Sequence, residues 1–174
     1  MKGAKRIVLL FTAVLLSLCL QAQKTPEELA DYLFKAMKAE NVKAVGTYLC
    51  TPEEALLFSK KLGYSYTKDQ GDDYKTEQLK LDTAFIDQVN YVLKDGKNQK
   101  GIVWNKAELV KIKSGVETYI LSSLDESKTA DMGPVSVIFK SGTNQFILTF
   151  ANAFDATGRW RINGESIKLK RYTE

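Results

Sequence analysis

The chain of 174 residues has 25 Lys and Arg, 21 Asp and Glu, two Cys and no His, which excludes the usual zinc ligand sets and His-dependent acid–base catalysis. Three of the basic residues lie in the first 22, so the remainder carries 22 basic and 21 acidic side chains. This near-neutral balance implies no nucleic acid or other polyanionic partner.

Residues 1–22 have the pattern of a secretory signal peptide. An apolar stretch from Ile7 to Leu20 follows three basic residues, and Ala22 offers a small residue for cleavage. The apolar run is shorter than the ~20 residues that a membrane-spanning helix needs, and no other stretch is apolar enough. We therefore expect an exported protein, periplasmic or extracellular, without a transmembrane segment.

The two cysteines have different expected fates. Cys19 raises the alternative of an outer-membrane lipoprotein, but Leu16-Ser17-Leu18 lacks the small residue that such a site has before its Cys. Cys50 is the one thiol left after cleavage, so no intramolecular disulfide is possible. Because no His is present to activate it, we expect Cys50 to be a buried structural residue.

The residues before position 100 are predicted to be mainly helical. Thr25–Glu28 and Thr51–Glu54 both read TPEE, which combines a hydroxyl N-cap, Pro in the first turn and two acidic residues. They predict one helix from Pro26 and another that ends at Gly63, with a short helix over Val42–Leu49 between them. The longest helix is predicted over Thr76–Lys94, whose wide apolar stripe should pack on a sheet.

The segment Tyr64–Lys75 is polar and contains Gly71, so we predict a mobile loop or a small irregular hairpin. Three acidic residues here, Asp69, Asp72 and Asp73, suggest calcium. Their spacing lacks the alternating ligands and terminal Glu of a calcium-binding loop, which favours a solvated acidic segment.

The later part of the chain is predicted to consist of antiparallel strands, because apolar residues alternate and turn residues separate the runs. In the strand that follows Asn144, Phe146, Phe150 and Phe154 fall on one face. A change of phase at Asn163-Gly164 predicts a bulge or bend. The predicted strands are Ile102–Trp104, Glu108–Lys113, Val116–Leu124, Val135–Lys140, Gln145–Phe154, Arg159–Ile162 and a last one through Ile167 and Leu169.

Helices followed by strands, with no linker between them, predict a single α+β domain over residues 23–174. Its N-terminal helices would pack on a curved, mainly antiparallel C-terminal sheet.

Two stretches carry a resemblance to a known family. The short helix with Asn41–Tyr48 (NVKAVGTY) and the late strand Gly158–Ile162 (GRWRI) are similar to those of small secreted bacterial members of the nuclear transport factor 2-like superfamily. This cystatin-like α+β cone also includes polyketide cyclase-like and ketosteroid-isomerase-like proteins. The chain departs from the family pattern by a helix over Pro52–Gly63 and by the polar segment after it.

The resemblance implies a pocket at the open end of a cone, which would take a small apolar ligand. Aromatic residues are candidates to line it, although aromatic residues at strand spacing also form ordinary cores. The chain also suits an envelope interaction module, because Ile138 and Ile147 face outward and would permit a homodimer through the sheet face. The ligand-binding candidates are Tyr48, Phe85, Trp104, Phe150 and Trp160.

The enzymatic alternative is a ketosteroid-isomerase-like or cyclase-like activity with a buried carboxylate and a Tyr. Such an enzyme uses a carboxylate base and a phenolic donor in a site of low dielectric. None of the available candidates lies in a matching motif, so the sequence names no catalytic residue, and it implies no metal and no cofactor. The candidates are Asp31, Tyr32, Tyr48 and Asp87.

Overall fold

Helices occupy the first half of the chain and strands the second. The computed structural model describes residues 23–120 and 129–173. The predicted signal peptide with Cys19, and the end of the strand predicted over Val116–Leu124, lie outside the described residues. The described part confirms the predicted α+β class, with helices in the first half of the chain and a mainly antiparallel sheet in the second.

The helices begin where the sequence places their caps. The hydroxyls of Thr25 and Thr51 accept hydrogen bonds from the backbone N–H groups of Glu28 and Glu54. The short second helix ends earlier than predicted, at Gly46. The helices are α1 (Pro26–Lys38), α2 (Val42–Gly46), α3 (Pro52–Lys61) and α4 (Lys68–Asn98), followed by a single 3₁₀ turn (Trp104–Lys106).

Helix α4 starts eight residues before the predicted Thr76, so the loop or hairpin predicted over Tyr64–Lys75 is wrong beyond its first four residues. Thr67 caps the helix and forms a reciprocal capping box with Gln70. Gly71 is buried beside α3, where an added Cβ would lie 3.6 Å from Leu56. The cap and the packing on α3 outweigh the low helix propensity of this glycine.

In residues 23–120 and 129–173, six antiparallel strands form one sheet, in which no more than four strands lie side by side. Two successive strands pair along one side of β3, and two more pair along the far side of β4. The described strands do not close into a barrel. They are β1 (Glu108–Ser114), β2 (Glu117–Ile120), β3 (Thr129–Ser141), β4 (Asn144–Asp155), β5 (Trp160–Ile162) and β6 (Ile167–Arg171).

Two of the predicted strand assignments need correction. Ile102–Trp104 is not a strand; the chain turns into the 3₁₀ helix there, and the buried Trp104 indole donates a hydrogen bond to the Leu93 carbonyl at 3.0 Å. Strand β3 begins at Thr129 rather than near Val135, because its first residues pair with β2. Pro134 is tolerated in this inner strand because the pairing with β4 shifts register around it.

A bulge in β4 divides the sheet into two parts. Gly133 pairs with Ala153 but Val135 pairs with Phe150, so β4 contains one more residue than β3 at this point. Asn152 within the bulge has a φ of 52°. The extra residue moves Phe154 to the opposite face from Phe150, so the prediction that both share a face is wrong.

The main core lies on the inner face of the sheet. Helix α1 and the later turns of α4 contribute aliphatic side chains to it, and β3 and β4 contribute their inward residues. Phe139 forms its aromatic centre, with ring centroids 5.3–5.6 Å from Phe34, Trp104 and Phe146.

A second, smaller core lies on the outer face beyond the bulge. Phe154 packs against Phe58 of α3 with ring centroids 4.2 Å apart, and Tyr74 of α4 packs beside them. Helix α4 therefore contributes to both cores, its first turns to the outer one and its later turns to the inner one. It passes the sheet at the connection between β5 and β6, where the Gln78 side chain donates to the Asn163 carbonyl at 2.9 Å.

The contact between α4 and Trp104 predicts opposite effects for two glycine substitutions in one helix. A Cβ at Gly96 would lie 2.8 Å from Trp104 and 3.2 Å from Leu169. We expect Gly96→Ala to lower the free energy of unfolding by about 1–3 kcal/mol, because overpacking exceeds the gain of about 1 kcal/mol in helix propensity. Urea unfolding of the two variants and the wild type measures this.

Gly71→Ala is the matched control, because its new Cβ would meet Leu56 at an ordinary contact distance. We expect it to raise the free energy of unfolding by up to about 1 kcal/mol. Equal shifts in the same direction for both variants would contradict the packing described for Gly96.

Candidate functional site

A cavity of about 310 Å³ opens where α3, the start of α4 and the outer face of the sheet meet. We call it the tyrosine cavity, because three tyrosines from one stretch of chain line it: Tyr64, Tyr66 and Tyr74. Its apolar floor is the edge of the outer core and includes Phe58, Leu62, Met132 and Phe154. The cavity exists because Phe154 faces outward after the β4 bulge.

Gly63 directs the chain from α3 into the cavity wall. Its φ of 94° lies in the left-handed region, and its N–H donates to the Lys60 carbonyl at 3.0 Å. The next N–H, of Tyr64, donates to the Ser59 carbonyl at 3.2 Å, which completes a Schellman motif. Tyr64 is thereby held at the cavity rim, with 62% of its surface exposed.

Ser59 connects the tyrosines at the helical side of the cavity. Its hydroxyl lies 2.5 Å from the Tyr66 hydroxyl, and the Tyr66 and Tyr74 rings lie 5.4 Å apart. Burial raises the pKa of Tyr74, with a further contribution from Tyr66, while a hydrogen bond with Ser59 opposes the shift. The Tyr74 phenol therefore stays protonated at neutral pH and can both donate and accept hydrogen bonds.

The opposite wall carries amides and a carboxylate. Glu165, in the connection between β5 and β6, accepts hydrogen bonds from the Asn152 and Asn163 side chains, one on each carboxylate oxygen. Its backbone N–H donates to Asn163 Oδ1 at 3.1 Å. Two amides thus fix Glu165, which is the only charged residue among the described residues that line the cavity.

A stripe of α4 links the cavity to a partly buried carboxyl. Tyr74, Gln78 and Asp82 follow at four-residue spacing, and Gln78 Nε2 lies 2.9 Å from Asp82 Oδ1. Burial raises the pKa of Asp82, and the hydrogen bond from Gln78 opposes that shift. Tyr74 and Gln78 line the cavity, whereas Asp82 is not among the lining residues.

Cys50 lies in the outer core and is 2% exposed. Burial, with contributions from Asp82 and Glu54, raises its pKa to about 12. The same Glu54 carboxylate forms an ion pair with Arg161, whose Nε lies 3.4 Å from Glu54 Oε2 without hydrogen-bond geometry. The surroundings of Cys50 thus favour the neutral thiol and fit a packing role.

The residues predicted to bind a ligand lie in the inner core instead of around the tyrosine cavity. Phe85, Trp104, Phe150 and Trp160 are at most 7% exposed and pack together in the main cluster. Tyr48 packs at its edge and stacks on Tyr32, with ring centroids 6.0 Å apart. Their ligand binding stays a prediction.

Three of the four residues considered for catalysis lie around Lys35, whose Nζ pairs with Asp31 and lies 5.5 Å from the centre of the Tyr32 ring, which in turn stacks on Tyr48. Asp31 forms an ion pair with Lys35 at 2.6 Å on the surface of α1, and Asp87 is exposed on α4. Tyr32 and Tyr48 form the stacked pair at the edge of the main core. Within residues 23–120 and 129–173, no three Cys, Asp or Glu side chains are grouped so that they could hold a metal ion.

Sequence reasoning missed the tyrosine cavity because its parts come from five separate stretches of chain. One local signal was present: three tyrosines within Tyr64–Tyr74, a polar stretch that offers no periodic apolar face for them. Aromatic residues that the hydrophobic pattern does not place in a core indicate a surface site. The contributions of Asn152 and Glu165 depend on the bulge and could not be read from the pattern.

Comparison with known proteins gives no further assignment. No family model matches the chain, and no curated protein or solved structure is similar to it. Among the helices that the structure describes, none is both long and apolar enough to cross a membrane.

The raised pKa of Asp82 predicts a pH-dependent effect of Asp82→Asn. The folded chain binds the Asp82 proton more tightly than the unfolded chain, so ionisation of this carboxyl lowers the free energy of unfolding at neutral pH. We expect the Asn variant to have a higher thermal midpoint than the wild type at pH 7. The difference should disappear below about pH 4, where the unfolded carboxyl is also protonated.

Asp87→Asn, at an exposed position of the same helix, is the control and should leave the midpoint nearly unchanged at both pH values. An Asp82→Asn variant that is less stable than the wild type at pH 7 would contradict the account of Asp82.

Burial of Cys50 predicts that its thiol is unreactive in the folded protein. We expect no alkylation by iodoacetamide at pH 8 in native buffer, because the thiol is buried and its pKa of about 12 leaves little thiolate. In guanidinium chloride the same residue should react completely. Mass spectrometry of the peptide that contains Cys50 measures both, and rapid alkylation of the native protein would show that the outer core opens readily.

Proposed function

We propose that the chain is an exported small-ligand-binding domain whose ligand occupies the tyrosine cavity. The observation that carries the proposal is the cavity itself, which combines an apolar floor with a rim of hydroxyls, amides and one fixed carboxylate. Binding sites for small molecules have this composition, and a few oriented polar groups give them their selectivity. A volume of about 310 Å³ suits a compact ligand.

The charge and the aromatic rings of the cavity favour an organic cation. Glu165 is negative, no lysine or arginine within residues 23–120 and 129–173 lines the cavity, and three tyrosine rings offer electron-rich faces. A cation held over such rings gains about 0.5–2 kcal/mol from cation–π attraction. A substituted ammonium group with a small apolar body therefore matches the cavity better than an anion or a purely apolar molecule.

Export and family membership are parts of the same proposal. The basic start and apolar run of residues 1–22 support export. The order of helices before a mainly antiparallel sheet, together with Asn41–Tyr48 and Gly158–Ile162, supports a relationship to the nuclear transport factor 2-like superfamily. In this proposal the ligand lies on the outer side of the sheet, and the packed inner core holds none.

A ketosteroid-isomerase-like activity is the second candidate, supported by Tyr74 and Asp82. The pKa of each is raised by burial, and both lie on one stripe of α4. A carboxyl and a phenol of this kind could serve as acid and base. Because Asp82 is not among the residues that line the cavity, we propose binding ahead of catalysis.

Isothermal titration calorimetry with choline and its uncharged isostere 3,3-dimethylbutan-1-ol tests the proposal. We expect choline to bind about tenfold more tightly, which corresponds to about 1.4 kcal/mol. Glu165→Gln should reduce this ratio, because it removes the negative charge and keeps the shape of the side chain. Tyr64→Ala should weaken choline binding by about three- to tenfold.

Tyr91→Ala is the matched control, since Tyr91 is 69% exposed on α4 and outside the tyrosine cavity. It should leave choline binding unchanged. Equal affinity for the two compounds would refute the cationic ligand while retaining the cavity as a binding site. If neither compound nor any other small amine bound the protein, the proposed function would be wrong.

A further inference from the structure

We propose that the outer face of the sheet below the bulge is a docking surface for an anionic lipid bilayer. Five lysines share this face, and we call it the lysine face: Lys111, Lys113, Lys140, Lys168 and Lys170. The proposal is independent of the tyrosine cavity, which lies beyond the bulge.

Strand pairing brings these lysines together in rows. In one row Lys111 is paired with Ile138, Ile138 with Ile147, and Ile147 with Lys170. The next row runs from Lys113 through Ser136 and Thr149 to Lys168, with a hydrogen bond of 2.9 Å between the two central hydroxyls. In a third row Lys140 lies between Glu108 and Gln145. Both edge strands thus contribute lysines that flank an uncharged centre.

The lysine face has an excess of positive charge that its own residues do not neutralise. All five lysines are exposed, and none forms an ion pair with another residue of the described chain. Among the residues whose pairing the structure describes, Glu108 is the only acidic one on this face. The chain after residue 22 has a net charge close to zero. The positive charge of the lysine face is therefore balanced by acidic side chains elsewhere in the chain.

The centre of the lysine face is apolar but belongs to neither core. Ile138 is 2% exposed and is absent from both described clusters. Lys113 of β1 and Tyr172, which follows β6, come from opposite edges of the sheet, and the Lys113 Nζ lies 3.4 Å from the Tyr172 hydroxyl and 5.2 Å from the centre of that ring. Lysine stems can cover apolar surface in this way while their ammonium groups reach water.

The arrangement fits a bilayer better than a polymer or a second copy of the chain. The lysines spread across four strands, about 14 Å, so they match a two-dimensional array of head groups. A polyanionic chain would need a linear groove of positive charge. Two copies meeting through this face would bring ten lysines together without compensating acids, which opposes the predicted homodimer at this surface.

Vesicle co-sedimentation tests the proposal. We expect the wild type to bind vesicles of phosphatidylcholine and phosphatidylglycerol in equal parts, and to remain in solution with phosphatidylcholine alone. Raising NaCl from about 0.1 to about 1 M shortens the Debye length from about 10 to about 3 Å and should release the protein. Lys168→Glu with Lys170→Glu should reduce partitioning about a hundredfold.

Lys94→Glu with Lys97→Glu is the matched control, because it changes the net charge of the protein by the same amount. Both residues are exposed on α4, beside Glu40 and Val42, on the inner side of the sheet. It should change partitioning less than threefold, and circular dichroism should show both double variants folded. Three results would overturn the proposal. The first is an equal loss of vesicle binding in the two double variants, and the second is wild-type binding to neutral vesicles that equals its binding to anionic ones. The third is wild-type binding to dextran sulfate without binding to vesicles. A dimer in sedimentation velocity that the Lys168/Lys170 double variant abolishes would also overturn it.

Discussion

One additional residue in β4 determines how the two sides of this sheet are used. The bulge at Asn152 reverses the direction of the side chains that follow, so Phe150 packs in the inner core and Phe154 packs against α3. Without the bulge, Phe154 would lie on the inner face and α3 would have no aromatic partner in the sheet. Both the outer core and the cavity beside it depend on this change of face.

Helix α4 is the element that connects the two sides. Its 31 residues span about 46 Å, long enough to pack on the inner core at one end and the outer core at the other. Where it passes the sheet, the buried Gln78 amide bonds both the Asn163 carbonyl and Asp82. This contact holds the β5–β6 connection, and hence Glu165, against the first turns of the helix. The cavity is therefore bounded by elements that are fixed to each other by burial and hydrogen bonds.

The fold class, the helix caps and the inner core could be predicted from local patterns. Thr25 and Thr51 cap their helices as their sequences indicate, and alternation places Phe146 and Phe150 correctly. The start of α4 could not be predicted, because Gly71 and its acidic neighbours have a loop-like composition and become helical through a cap and contact with α3. The cavity and the lysine face arise from pairing between distant strands, and the sequence alone does not show the bulges that set their register.

We propose that small molecules bind on the outer side of the sheet, beside Tyr64, Tyr66 and Tyr74, and that the aromatic residues of the inner core only pack. Intermolecular nuclear Overhauser effects from the methyl protons of bound choline locate the ligand directly. We expect effects to the ring protons of these tyrosines and to Met132. Effects to Trp104 or Phe150 instead would place the ligand in the inner core and contradict the proposal.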